Sequence, residues 1–239
     1  MDAATTAELG RRWGYRATVE ASAARRFARL AERMVAVGLD REVCAIAREA
    51  EQQEHTHVGL CAGLAARFGH AWRDDGAAPD EVAPAAWSPR ARVLYEVVAF
   101  CCVTETSNTA LVADGLPLID DPAVERAARR ILADEVQHSR LGWQVLALHP
   151  LDDAEAAALG AHLPAMLAGA VSLEQFRPRA LIGDEVTLAR HGSSPLASRR
   201  AAFLGAMREV LLPGLAAAGL AVGAGAAYLD DLEATARAA

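Results

Sequence analysis

The chain has 239 residues, a formal net charge of −7, 53% hydrophobic residues and only 5% aromatic residues. This length suits one domain, or one domain with an appended lobe, and the Ala- and Leu-rich composition favours helix over strand. The acidic balance argues against a nucleic-acid partner, because no basic stripe is present to neutralise phosphates.

No uninterrupted apolar run reaches the length of a membrane span, and the N-terminal segment lacks the basic-then-apolar order of a signal peptide. We therefore expect a cytoplasmic protein without a membrane partner. The cysteines include no CxxC pair, and such a set fits reduced thiols better than a disulfide framework. They are Cys44, Cys61, Cys101 and Cys102.

Four long helical patterns fill the first 148 residues. Glycines follow the first three patterns and are typical C-terminal stops, while Asp121 and Pro122 are typical of a helix start. Three prolines make the stretch between the second and third patterns a poor helix and a long connection. The predicted helices cover residues 16–37, 40–68, 89–113 and 122–148.

Two short connections and one long one predict an all-α fold, a four-helix bundle with a single crossover over residues 12–148. Residues 149–239 are predicted to form additional helices that pack on the bundle. The first of them begins at Asp152, since Glu155 completes a capping-box spacing. An irregular linker is predicted over 176–195, followed by a helix to about residue 218 and a short tail helix.

Polar residues interrupt the apolar stripe of every predicted long helix. When each helix is read in steps of three and four, so that one face is followed, one glutamate falls among apolar residues. Two of the helices add a histidine three residues after the glutamate. The residues are Glu20 in the first helix, Glu54 and His57 in the second, Glu105 in the third, and Glu135 and His138 in the fourth.

A metal site explains this pattern best. An unpaired carboxylate in an apolar stripe destabilises the fold by several kcal/mol even after relaxation, and four of them would be prohibitive. Two divalent cations would neutralise four glutamates, and Glu-x-x-His spacing places both side chains on adjacent turns of one face. Carboxylate-rich coordination with one nitrogen per ion suits iron or manganese.

The alternation of a lone glutamate with a Glu-x-x-His pair, repeated twice, resembles the ferritin-like di-iron carboxylate superfamily over about residues 12–148. The stretch DEVQH at 134–138 is similar to the fourth-helix motif of rubrerythrins, bacterioferritins and di-iron oxygenases. The resemblance implies two bridging glutamates, two terminal ones and one histidine per iron. In that order they are Glu54 and Glu135, Glu20 and Glu105, and His57 and His138.

Three features depart from that family. The chain continues for about ninety residues beyond the fourth helix, whereas ferritins and bacterioferritins usually end there. The CxxC iron site that rubrerythrins commonly have is absent from the sequence. Ile131 occupies the position at which arylamine N-oxygenases have a third histidine.

Several neighbours of the proposed ligands have two interpretations. Glu51 with His55 is an alternative pair to Glu54 with His57, which we prefer because it follows the apolar stripe. Metal-bound histidines usually donate their second N–H to an acceptor. By the family resemblance Asp134 would hold His57, and Gln53 would hold His138 more weakly; the alternative for Asp134 is a solvated helix charge.

Thr109 lies one turn after Glu105. Some di-iron monooxygenases have a threonine at this offset, near the side that binds oxygen. The alternative is a helical threonine that bonds to its own backbone.

The expected function is that of a di-iron oxidase or oxygenase that activates O₂, its co-substrate, to oxidise a small organic molecule. It would use two Fe ions, alternatively two Mn ions or one of each, and an external electron donor, and a homodimer is compatible with it. The six ligands would act in catalysis through the metals. The alternatives are a rubrerythrin-like peroxidase or ferroxidase, and a non-catalytic helical protein stabilised by metal.

Overall fold

The computed structural model describes residues 1–171, 176 and 182–238, and within these ranges the regular secondary structure is helical, with no strand. Helix α1 and helix α2 are joined by a short turn, and the third long stretch contains a π-helical segment between two α-helices. A 3₁₀ turn then leads to α5. The bounds are α1 Ala3–Ala36, α2 Arg41–Arg67, α3 Pro89–Glu96, π-helix Val97–Thr104, α4 Glu105–Gly115, 3₁₀ helix Leu116–Leu118 and α5 Pro122–Leu148.

The residues after α5 form further helices. Their bounds are α6 Asp153–Ala170, α7 Glu185–Arg190, α8 Leu196–Ala206, a second π-helix Met207–Leu211, α9 Leu212–Ala217 and α10 Gly223–Ala238. The predicted capping box at the start of α6 is confirmed. The Asp152 carboxylate accepts from the Glu155 amide at 2.8 Å, and the Glu155 carboxylate accepts from the Asp152 amide at 3.2 Å.

The prediction of an irregular linker over 176–195 is wrong where α7 forms. Asp184 accepts from the Thr187 amide at 2.8 Å and caps this short helix. Residues 177–181 of the predicted linker lie outside the described residues.

Helix α1 begins thirteen residues before the predicted start at residue 16. Asp2 caps it by accepting from the Thr5 amide at 2.8 Å, which satisfies one of the free N–H groups of the first turn. Leu9 and Trp13 are buried, and the Trp13 indole donates to the His191 carbonyl at 3.1 Å. The apolar face of α1 therefore extends to its N-terminus, where it packs against the C-terminal part of the chain.

The long helices pack around a common interior. Helix α1 lies along α2, α2 contacts α5, and α5 contacts both the first π-helix and α4. The stripes predicted from the sequence face inward, and almost all of their residues are buried. Gly38 and Gly69 have positive φ values of 78° and 80° and end α1 and α2 as predicted.

The C-terminal helices pack on the third long stretch. Helix α6 contacts the first π-helix, α8 contacts α4, and α10 contacts α6. Leu163, Phe203 and Leu229 belong to the same apolar core as Phe27. The C-terminal part therefore covers the helix that contains Glu105, and the division into domains 12–148 and 149–239 stays a prediction.

The long connection between α2 and α3 lies against α1. Arg25 donates to Asp74 at 2.8 Å, and Arg29 donates to the Pro79 carbonyl at 2.6 Å. These contacts hold the crossover predicted from the three prolines along the side of α1.

All four cysteines are buried free thiols. Within the described ranges, no helix combines the length and the apolar character that crossing a membrane requires.

Gly142 permits a close approach between α5 and the first π-helix. A Cβ atom at this position would lie 2.5 Å from the Cys102 Sγ and 3.0 Å from the Cys102 amide nitrogen. We expect Gly142→Ala to destabilise the metal-free protein by about 1–3 kcal/mol, because overpacking outweighs the better helix propensity of alanine. The measurement is the free energy of unfolding in denaturant.

Gly63→Ala is the matched control, since apart from its chain neighbours and the backbone of its own helix a Cβ there meets no described atom within 4 Å. It lies in the interior of α2, so we expect a gain of up to about 1 kcal/mol. Equal effects of the two substitutions would contradict this account of the packing.

Candidate metal centre

The six predicted ligands converge at the centre of the long helices. Glu20 comes from α1, Glu105 is the first residue of α4, and α2 and α5 each contribute a Glu-x-x-His pair. None of the six is more than 3% exposed. Helical periodicity explains the convergence, because each side chain lies in the stripe that its helix turns toward the others.

The donor atoms form two overlapping groups. Within each group, one atom from every residue lies within 4.8 Å of the others. Ligands at about 2.1 Å from an ion lie at most about 4.2 Å apart, so small side-chain shifts would close either group around a cation. The first group is Glu20, Glu54, His57 and Glu135, and the second is Glu54, Glu105, Glu135 and His138, so that Glu54 and Glu135 belong to both.

His57 has one nitrogen in the cluster and one outside it. Its Nδ1 lies 3.3 Å from Glu54 Oε2 and 3.9 Å from Glu135 Oε1. Its Nε2 lies 3.1 Å from Asp134 Oδ2, the partner predicted from the sequence. An Nε2–H that donates to Asp134 leaves Nδ1 as an acceptor toward the cluster.

His138 is placed in the same way. Its Nδ1 lies 3.1 Å from Glu54 Oε1, and its Nε2 lies 2.8 Å from Gln53 Oε1. Gln53 therefore takes the place predicted for it, and the two imidazole rings have centroids 5.9 Å apart.

The inward atoms of this cluster make no hydrogen bond in the described part of the chain, since an Nδ1 without a proton and a carboxylate oxygen are both acceptors even where they approach each other. Buried polar atoms in proteins are almost always satisfied, so a set without partners in one place indicates a missing ligand. The atoms are both carboxylate oxygens of Glu54, Glu105 and Glu135, and the Nδ1 of His57 and of His138.

The pKa values agree with an arrangement suited to a cation. Burial, reinforced by the neighbouring carboxylates, raises the pKa of Glu54 and of Glu135 well above the ordinary value. Burial raises the pKa of Glu105 to about 8. Burial also lowers the pKa of His57 and lowers the pKa of His138 to about 3, so both imidazoles are neutral, as metal ligation requires.

Arg16 belongs to the site and was missed by the sequence reading. Its Nε donates to Glu20 Oε1 at 3.0 Å, while Glu20 Oε2 lies 4.0 Å from His57 Nδ1. Although burial opposes the charge, the pKa of Arg16 is raised because Glu20 lies beside it. The signal was present in the sequence, since Arg16 lies one turn before Glu20 on the same helix face.

The π-helix Val97–Thr104 ends immediately before Glu105 and was not predicted. Thr104 Oγ1 donates to the Ala99 carbonyl five residues back, at 3.0 Å. Single π-helical turns are frequent at functional sites because they shift the register of the residues that follow. No local signal marks this one, since the segment is apolar on all sides.

Thr109 and the alternative pair of ligands are placed as follows. The Thr109 hydroxyl is buried without a partner in the described part of the chain, so it does not bond to its own backbone. Its predicted role near the oxygen side stays a prediction. In the alternative pair, Glu51 is half-buried and His55 is exposed, and neither joins the cluster.

Comparisons with models of protein families, with curated proteins and with solved structures return no match for this chain. The fold and the site define an all-helical protein with a buried cluster of carboxylates and imidazoles that could hold a metal ion.

Proposed function

We propose that this chain is a ferritin-like di-iron oxidoreductase that activates O₂ to oxidise a small organic molecule. One observation carries the proposal: two donor groups share Glu54 and Glu135, and the inward oxygens of both residues are buried without partners. A single ion would need only one group, whereas two shared carboxylates suit a pair of ions.

The donor set supports iron, with manganese as the alternative. Each group has three carboxylates and one imidazole, and hard oxygen ligands with a single nitrogen suit these two metals. Glu54 and Glu135, which belong to both groups, would be held in common by the two ions, while Glu20 and His57 would serve one ion and Glu105 and His138 the other. Four glutamates then balance the charge of two divalent ions.

The residues around the ligands would orient them and exclude water. Asp134 and Gln53 fix the two imidazoles through their Nε2 atoms. The Phe27 ring packs edge-on against His138, with centroids 5.1 Å apart, and Phe100 packs on Phe27 at 4.6 Å. An apolar wall of this kind lowers solvent access and strengthens the electrostatic interactions inside the site.

The chemistry that bound iron would supply is electron transfer to O₂. Insertion of one oxygen atom into a substrate, with the other leaving as water, also needs two electrons and two protons from outside. An external electron donor is therefore part of the proposal. Helices α6 and α8 pack on the stretch that contains Glu105. The proposal places the organic substrate on this side of the cluster.

Anaerobic loading with Fe(II), followed by exposure to air, tests this function. We expect two irons per chain, one for each donor group, and a visible charge-transfer band after O₂ is admitted. We also expect sustained O₂ uptake only when a reductant and an organic substrate are both present.

Other outcomes would contradict the proposal in different ways. Accumulation of many ferric ions per chain would indicate a ferroxidase, and reduction of hydrogen peroxide in preference to O₂ would indicate a peroxidase. Failure to take up iron, together with unchanged stability of Glu135→Ala, would reject the metal site itself.

A further inference from the structure

A small pocket opens on the surface between α2 and α5 and reaches one of the proposed ligands. Its volume is about 160 Å³, which leaves room for several water molecules. Its lining is polar apart from one isoleucine. The lining residues are Ile46, Glu49, Gln53, Gln137, His138 and Gln144.

Gln53 lines the pocket beside His138. Its side-chain oxygen lies 2.8 Å from His138 Nε2, and its amide nitrogen lies 3.5 Å from Glu49 Oε1. Glu49 is exposed and Gln53 is half-buried. A row of polar groups therefore extends from solvent to a ligand that is itself only 1% exposed.

The other histidine is enclosed differently. His57 is fully buried, and its partner Asp134 is 6% exposed. Arg130 Nε lies 2.9 Å from Asp134 Oδ2, the same oxygen that faces His57. An ion pair thus closes the His57 side, whereas a neutral amide and an open pocket lie over His138.

This difference predicts that the two histidines bind a cation with unequal strength. A hydrogen bond to an ionised acceptor is about twice as strong as one between neutral groups. A carboxylate partner also raises the basicity of a ligating imidazole. The half-exposed amide beside His138 can replace its hydrogen bond to the imidazole by one to water. His138 is therefore the histidine that dissociates from a cation more readily.

We propose that the pocket over His138 is the route by which a divalent cation enters and leaves the site, and that the ion on His138 exchanges faster than the ion on His57. This inference rests on the proposed two-ion site. Glu49 at the mouth supplies the negative charge that attracts a cation. The glutamine amides offer oxygen atoms that can replace part of its water shell.

Chelator extraction from the cobalt(II)-loaded chain tests the proposal without any enzymatic assay. After excess chelator is added, the absorbance of bound cobalt is followed by stopped flow. We expect two phases of equal amplitude. Asp134→Asn should accelerate the slow phase, and Gln53→Glu should slow the fast phase, each by about tenfold or more, as substitutions of outer-shell partners do.

A plug in the pocket tests the route. Ile46→Trp should slow the release of both ions, because both must pass the same opening. Leu60→Trp is the matched control: Leu60 is also a partly buried apolar residue of α2, but it packs in another cluster and does not line this pocket. The control should release cobalt as the unmodified chain does.

A charge reversal covers the case in which the bulky variant fails to fold. Glu49→Lys places a positive charge at the mouth and should slow cobalt uptake, most strongly at low salt. Glu42→Lys makes the same charge change at an exposed position on α2 that is outside the pocket, and should not slow uptake.

The outcomes separate this inference from the proposed function. Two bound cobalt ions that leave in one phase, or release that Ile46→Trp and Leu60→Trp affect equally, would overturn the route. Equal uptake rates for Glu49→Lys and Glu42→Lys would overturn it as well. Failure of the unmodified chain to bind cobalt would instead contradict the proposed metal site.

Discussion

Replacement of Glu135 by glutamine is expected to stabilise the metal-free protein and to destabilise the metal-loaded protein. In the metal-free protein the Glu135 carboxyl group is fully buried, and burial together with the neighbouring Glu105 raises its pKa well above the ordinary value. The substitution keeps the volume and replaces a carboxyl group that is costly to ionise in this place by an amide that does not ionise. We expect the metal-free variant to be more stable by about 1–3 kcal/mol at pH 8.

With metal present the order is opposite. Glu135 belongs to both donor groups, so its loss weakens both ions. A ligand at a hundredfold excess over its dissociation constant stabilises a fold by about 2.7 kcal/mol per site, and the variant should lose most of this gain. The measurement is denaturant unfolding of both proteins with chelator and with Fe(II) or Mn(II) under anaerobic conditions.

Glu51→Gln is the control for this experiment. Glu51 is a half-buried glutamate of α2 outside the cluster, so its substitution should leave both stabilities within about 0.5 kcal/mol. A Glu135→Gln variant that is stabilised by metal as much as the unmodified chain would show that Glu135 is not a ligand.

The metal-free protein is expected to lose stability as pH rises from 6.5 to 8. The pKa of Glu105 is about 8 in the folded protein, against an ordinary value of 4.5. Between these values the folded state holds a proton that the unfolded chain has released, so stability falls with rising pH. Glu54 and Glu135, whose pKa values are also raised, act in the same direction.

The two histidines have the opposite effect on stability, and they have it in a lower pH range. Their pKa values are lowered from 6.5, so their contribution is complete above pH 6.5 and is lost as pH falls toward about 3, the pKa of His138. Below pH 6.5 the histidines therefore oppose the carboxylates. Above it only the carboxylates remain, and Glu105 alone should reduce the stability by about 2 kcal/mol up to pH 8.

Denaturant unfolding in the presence of chelator at pH 6.5 and at pH 8 measures how steeply the free energy of unfolding depends on pH. Glu105→Gln should make this dependence shallower, while the exposed Glu42→Gln should leave it unchanged. Stability that increases between these two pH values would contradict the assignment of Glu105 as a protonated buried carboxylate.

The inward direction of the ligands could be predicted because it is a local property. A period of 3.6 residues assigns every side chain of a helix to a face, and the buried stripes around Glu54 and Glu135 follow it. The partners Asp134 and Gln53 were also within reach, since each directly precedes a ligand. The start of α1 was missed because the apolar residues before Arg16 are sparse, and α7 was missed because it has only six residues.

The sequence by itself determined that the chain is helical and that glutamates and histidines lie within the apolar stripes of its long helices, because propensity and periodicity act along one helix at a time. The tertiary structure alone decided how closely the donor atoms of the two groups that share Glu54 and Glu135 approach one another, and that a pocket opens over His138. These features depend on distances between α2 and α5, which side-chain packing sets and local periodicity does not encode.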